Sequence, residues 1–175
     1  MTIRDFQGSE PRIHASAYVD PAAVVIGNVA IGEHSSIWPM AVVRGDVNTV
    51  EIGACTNVQD GSVIHCAHDG PYTPGGFATR IGDRVTIGHK AVVHACTIGE
   101  LCLVGMSATI MDGAVLEPRV MLGAGSLVPP GKVLEGGCLW VGVPARRVRS
   151  LTQAELESLD YSAQHYVRLK NKYTA

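Results

Sequence analysis

From Val19 onward an aliphatic residue returns at every sixth position over long stretches of the chain. The first run is Val19, Val25, Ile31, Ile37 and Val43, and the second is Ile52, Val58 and Ile64. The third is Ile81, Ile87 and Val93, and the fourth runs from Ile98 through Val104, Ile110, Leu116, Leu122 and Val128 to Leu134. Four residues after most of these aliphatics stands a small or β-branched residue, such as Ala23, Val29, Thr56, Ser62, Ala91, Cys102 or Ala114. That residue and the next aliphatic are two apart, so on a strand they share a face, which is the interior. Glycine often follows the aliphatic directly (Gly32, Gly53, Gly82, Gly88, Gly99, Gly105, Gly123), as expected where a chain bends sharply. Each hexapeptide therefore reads as a short strand plus a corner, and a fixed short period is the signature of a parallel β-helix. The simple alternation of a β-sandwich would not lock Ile, Val and Leu to every sixth residue.

The register breaks in three places. The step from Val43 to Ile52 is nine, which predicts a bulge or short loop over Arg44–Glu51. The step from Ile64 to Ile81 is 17, and the Gly and Pro content of His68–Arg80 predicts a loop. The step from Val93 to Ile98 is five. Interruptions in a solenoid tend to gather on one functional face. After Pro144 the repeat stops. Thr152 with Glu155 reads as a capping box, and Leu156, Leu159, Ala163, Tyr166, Val167 and Lys170 trace a helical stripe through Thr152–Tyr173. The organisation expected is a β-helix domain over 1-148 with the loop 68-80, then a C-terminal helix over 149-175 packed on the outside of the solenoid.

Composition narrows the picture. Hydrophobic residues make up 46% of the 175 but aromatics only 5%, which suits a narrow interior that admits few rings. The net charge of −2 offers no footprint for nucleic acid or an anionic membrane. Nothing approaches the ~20 apolar residues that span a bilayer, and Met1–Pro11 has no apolar signal core. The five cysteines show no metal-ligand spacing and read as reduced thiols in a cytoplasmic protein.

The repeat also places the histidines. With three hexapeptides per coil, Arg44, His65, His94 and Met111 follow the third aliphatic of successive coils and form one column on the outer surface. Coils lie about 4.8 Å apart, so His65 and His94 are neighbours close enough to share a metal. His89, five residues before His94, falls on another edge beside Asp60. Two copies meeting edge to edge would let His89 complete a three-histidine site and Asp60 pair with Arg44, and three such contacts would close a ring. Three neutral imidazoles with one open position describe a catalytic zinc site. The plain alternative is a set of surface histidines aligned at a corner by coincidence.

Arg44-Gly45-Asp46, the segment Asn57-Val58-Gln59-Asp60-Gly61-Ser62-Val63-Ile64-His65, and Gly88-His89-Lys90-Ala91-Val92-Val93-His94 resemble γ-class carbonic anhydrases and their short bacterial homologues, the YrdA-like group. The likeness covers nearly the whole chain, including Tyr161–Val167. It implies an all-β fold, a left-handed parallel β-helix of hexapeptide repeats with a C-terminal α-helix. It implies a homotrimer in which His65, His89 and His94 bind a metal across the subunit interface, zinc-type, with Fe2+ or Co2+ as alternatives. Gln59 would lie beside the metal-bound solvent, Arg44 and Asp60 would pair between subunits, and Asp46 would support the arginine. Tyr161 is the candidate for a tyrosine that approaches the site from the helix.

The activity implied is reversible hydration of carbon dioxide to bicarbonate by a metal-bound hydroxide. The chain departs from the pattern of active members in two places. Val47 stands after Asp46 where a glutamate would serve as proton shuttle, and the His68–Arg80 loop carries Asp69 but no glutamate. His68 could substitute, since an imidazole can carry a proton near neutral pH, but it reads first as a solvated loop histidine. Two other functions stay open: acyl transfer from acyl-coenzyme A, common among hexapeptide-repeat proteins, and a metal-binding accessory or thioesterase-like role with little hydration.

Overall fold

The computed structural model describes residues 2–174. Most hexapeptides form strands of two or three residues, and coil stacks on coil in parallel register. The six-residue spacing becomes three vertical ladders of interior side chains. On one face Ile31 pairs with Ile52, then Ile81, Ile98, Leu116 and Leu134. On the second, Val19 pairs with Ile37, then Val58, Ile87, Val104, Leu122 and Trp140. On the third, Val25 pairs with Val43, then Ile64, Val93, Ile110 and Val128. The chain is thus a three-faced parallel β-solenoid with one C-terminal helix. From Ile31 on, these ladder residues are almost wholly buried, each contributing roughly 1.5–3 kcal/mol of apolar burial. The interior is narrow, and an indole enters it only where a ladder ends, at Trp140.

The small residues four after each aliphatic are buried as well, and the polar ones among them are bonded. Ser35 Oγ donates to Gly53 O at 2.6 Å, Thr56 Oγ1 to Gly82 O at 2.8 Å and Ser62 Oγ to Gly88 O at 2.9 Å. Each of these three hydroxyls ties one coil to the next and has its donor satisfied by a backbone carbonyl.

The glycines that follow the aliphatics have a different cause from the one expected. The left-handed backbone of each such corner lies two residues after the glycine, at His34, Cys55, Arg84, Lys90, Leu101, Ser107 and Gly125. The glycine is needed because coils stack closely. A Cβ on Gly105 would sit 2.4 Å from Ala124 N and 2.6 Å from Gly123 C, both backbone atoms of the next coil. Neither can yield without parting the stack. Gly105→Ala is expected to cost about 3 kcal/mol or more, read as a fall in the chemical-denaturation midpoint. A loss within ~0.5 kcal/mol would mean that the coils separate freely there.

The three register breaks take distinct forms. Val42–Ile52 is one continuous strand of 11 residues that rounds a corner beside Val24–Ile31, with the register irregularity between Gly27 and Val29. The nine-residue step is therefore a bulge within a strand pair, and it fuses two faces into one sheet. The long loop is shorter than the sequence suggests, because Thr79 and Arg80 already belong to the strand Thr79–Ile81. Its stem closes by the antiparallel bridge of Ala67 with Phe77, and its tip by that of Gly70 with Thr73. At the five-residue step, Ala95 adopts φ 52° and its N–H donates to His65 O at 2.9 Å.

At the end of the solenoid, Cys138–Val141 pairs antiparallel with Arg146–Ser150 before the helix Gln153–Tyr173. Thr152 caps the helix, with both halves of the Thr152–Glu155 capping box formed. The helix buries Leu159 and Ala163 and docks on the second face through rings, Tyr166 and Tyr173 packing on Trp38 at centroid distances of 5.5 and 5.2 Å. The side of this helix that faces the solenoid carries Ser162 and Tyr166 to a groove beside His89.

Candidate metal centre

Arg44, His65 and His94 occupy one column of the third face, in register on three successive coils. The two imidazoles lie with ring centroids 5.2 Å apart, and Nδ1 of His65 faces Nε2 of His94 at 3.2 Å. Their outer nitrogens are taken by carboxylates. His65 Nε2 lies 2.9 Å from Asp46 Oδ1, and His94 Nδ1 lies 2.5 Å from Asp112 Oδ1. Asp46 comes from the coil below the pair and Asp112 from the coil above. Asp46 also accepts from Arg44 Nη1.

This arrangement fits a divalent metal. Each neutral ring that donates its outer N–H to a carboxylate presents a lone pair at its inner nitrogen, so two acceptors face each other with no proton between them. A cation satisfies both. Two imidazole nitrogens on a tetrahedral zinc-type ion at ~2.0–2.1 Å lie roughly 3.3 Å apart, close to the separation found. A carboxylate behind each ligating histidine is the usual support that sets its tautomer and raises its basicity.

Electrostatics agree. Burial pushes the His65 pKa down, outweighing the Asp46 hydrogen bond that would raise it, and this keeps the ring neutral as a ligand must be. Burial alone would raise Asp46, yet the hydrogen bonds from His65 and Arg44 hold its carboxyl below the ordinary value. Cys66 comes within 4.8 Å of Asp46 and His65. It is nevertheless a core residue, wholly buried in the solenoid, and burial pushes its thiol up, away from the thiolate a metal takes. The remaining cysteines are unpaired, and Cys96, Cys102 and Cys138 are buried too.

His89 stands apart. It follows the strand Thr86–Ile87 on the second face, and the left-handed corner at Lys90 separates it from the third. Within the single chain the three histidines do not converge on one point. His89 has its own carboxylate, with Nδ1 2.9 Å from Asp60 Oδ2. Asp60 is thus engaged within its own chain, and Arg44 is engaged with Asp46.

Gln59 and His89 line one groove of about 490 Å³ together with Ser162, Tyr166 and apolar residues that include Met106 and Met121. Gln59 Nε2 donates to Asn57 Oδ1 at 3.1 Å, and Asn57 Nδ2 donates to Thr86 Oγ1 at 3.0 Å. Thr86 Oγ1 lies 3.2 Å from Ser162 Oγ on the helix. The amide of Gln59 is therefore held by a buried polar chain. Tyr161 does not line this groove. It is 66% exposed, stacks on His165 at 6.3 Å and lies under the Arg168 guanidinium at 5.5 Å. The helix turns Ser162 and Tyr166 inward where Tyr161 faces out.

Asp112 is the residue that sequence reasoning missed. No motif marks it; only the coil-on-coil register, extended one residue past Met111, brings it over His94.

A family profile described as "Bacterial transferase hexapeptide (six repeats)" matches residues 10–45. "Protein YrdA" of Escherichia coli is 46% identical over 171 residues, spanning 98% of this chain and 93% of that protein. "Gamma carbonic anhydrase 2, mitochondrial" of Arabidopsis thaliana is 42% identical over 171 residues, 96% of this chain and 60% of that longer protein. The solved structure of a "hexapeptide transferase family protein" from Anaplasma phagocytophilum superposes with TM-score 0.91 at 41% identity, covering 98% of both chains. With such identity across nearly its whole length, the chain belongs to the hexapeptide-repeat family, in the group that holds YrdA and the γ carbonic anhydrases.

Proposed function

We propose that this protein is a zinc-type γ carbonic anhydrase-like enzyme that hydrates carbon dioxide to bicarbonate at sites between the subunits of a homotrimer. The observation that carries the reading is the pair of facing nitrogens on His65 and His94, each ring backed by its own aspartate. His89 is the third ligand, contributed by a second chain. Its carboxylate partner, Asp60, engages Nδ1, so Nε2 is the nitrogen it would offer to a metal. Fe2+ and Co2+ suit the same imidazoles.

A metal held by His65, His94 and His89 would supply hydroxide at neutral pH by lowering the pKa of bound water to about 7. The residues around it do the rest. Gln59, locked by Asn57, presents a fixed amide to orient the attacking oxygen. The apolar wall of the groove beside His89 suits a small uncharged substrate. Arg44 closes the subunit edge, with Asp46 holding its guanidinium and Asp60 of a neighbouring chain as its cross-subunit partner. Tyr161 would act only across such an interface, since within its own chain it faces outward. No helix among the described residues is long and apolar enough to cross a membrane, and with five unpaired cysteines we read the protein as cytoplasmic.

A second reading, acyl transfer, is favoured by one feature: His89 with Asp60 at the groove is an imidazole oriented by a carboxylate, as a general base requires. Stopped-flow carbon dioxide hydration, with metal-loaded and chelated protein side by side, separates the two. We expect turnover in the loaded protein that chelation removes. No hydration by protein with metal confirmed bound would overturn the carbonic anhydrase reading; acyl transfer that survives chelation would replace it.

A further inference from the structure

We propose that Asp112 is the positioning residue for His94, fixing its ring and tautomer so that Nε2 faces His65; the metal-binding part of this inference rests on the function proposed above. The His94 Nδ1 to Asp112 Oδ1 distance is 2.5 Å, with both side chains about two-thirds shielded from solvent. Asp112 is held rigidly relative to His94. Gly113, next in the chain, takes φ +69° and donates its N–H to Ala95 O at 2.7 Å, which is the residue after His94. On the other side Gly131 N donates to Asp112 O at 2.9 Å. The backbone that carries Asp112 is therefore tied both to the histidine's own coil and to the coil above its own. Asp112 stands opposite Asp46, which backs His65 from below.

The consequence is a choice of tautomer. A neutral imidazole carries one N–H, and the acceptor beside it decides which nitrogen has it. Asp112 draws the proton to Nδ1 and leaves the Nε2 lone pair aimed at the partner ring. Without Asp112 the ring is free to rotate, and Nε2–H, the form that cannot ligate through Nε2, becomes accessible. Loss of a carboxylate behind a ligating histidine weakens metal binding by roughly 10- to 100-fold.

The test uses the full chain as wild type, Asp112→Ala and Asp112→Asn. In metal-free protein, 15N-detected imidazole spectra read the His94 tautomer directly. We expect Nδ1–H in the wild type and in Asp112→Asn, whose amide oxygen still accepts, with a shift toward Nε2–H in Asp112→Ala. Co2+ affinity, by competition with a chelator, is expected to fall about 10- to 100-fold in Asp112→Ala and to recover for the most part in Asp112→Asn. An unchanged tautomer in Asp112→Ala overturns the proposal, as does an asparagine variant no better than alanine. Circular dichroism and thermal midpoint of the metal-free variants separate this from misfolding, and the asparagine variant carries the test if alanine does not fold. If wild-type protein binds no Co2+, the proposed function fails, while the tautomer measurement still decides the role of Asp112.

Discussion

Replacing His94 by alanine is expected to leave the solenoid folded and to remove the metal. The imidazole lies outside the core, about one-third exposed, while the interior contacts of its strand belong to Val93. Truncation at such a position costs little stability, within roughly 0.5–1 kcal/mol. What it removes is one of two nitrogens that face each other at 3.2 Å. His65 is then left with Asp46 behind it and no ligand opposite. Metal content measured on purified protein should fall from near stoichiometric to background. Hydration should fall on the order of 10³-fold or more, since metal catalysis supplies several kcal/mol at ~1.4 kcal/mol per tenfold. His34→Ala is the matched control, an exposed histidine at a corner of another face. It should keep both metal and turnover. A folded His94→Ala protein with full metal content would show that the facing pair is not the site.

Much of this geometry is legible in the chain before any coordinates, for one physical reason. A solenoid converts sequence offset into vertical position, so an aliphatic every sixth residue places Arg44, His65 and His94 in one column. The same map separates His89 from His94 despite their five-residue spacing, because a corner intervenes. What a period cannot show is contact made by a side chain that reaches across coils. Asp112 belongs to the coil above His94 and lies 18 residues on, in a segment with no motif. Asp46 reads from sequence as a support for Arg44, and only the coordinates show it shared with His65. The glycines are a subtler case. Their positions are visible, but the cause is a neighbouring backbone one coil away, which lies outside any local rule about bending. The turn content of the long loop marks it as irregular, yet its antiparallel stem at Ala67 and Phe77 depends on pairing that composition does not encode.

The separation of His89 from the other two histidines has a sharper consequence for the assembled protein. His89→Ala and His94→Ala chains, each inactive alone, should recover activity when mixed. In the proposed trimer a complete site would take His65 and His94 from one chain and His89 from the next. In a mixture, the first chain must be the His89 variant, which keeps His65 and His94, and the second must be the His94 variant, which keeps His89. With random exchange at equal amounts, about a quarter of the interfaces meet that condition, so activity and metal content should rise to about a quarter of wild type in a closed ring of like contacts. Two inactive parents give nothing to add, so even a fraction of that recovery is unambiguous. Mixing His65→Ala with His94→Ala is the control and should give none, because both lesions fall on the same side of every interface. Exchange is verified by native mass spectrometry with one chain isotopically labelled. Verified mixed trimers without recovery would mean that His89 does not share a site with the pair, and the groove beside His89 and Asp60 would then need a chemistry of its own.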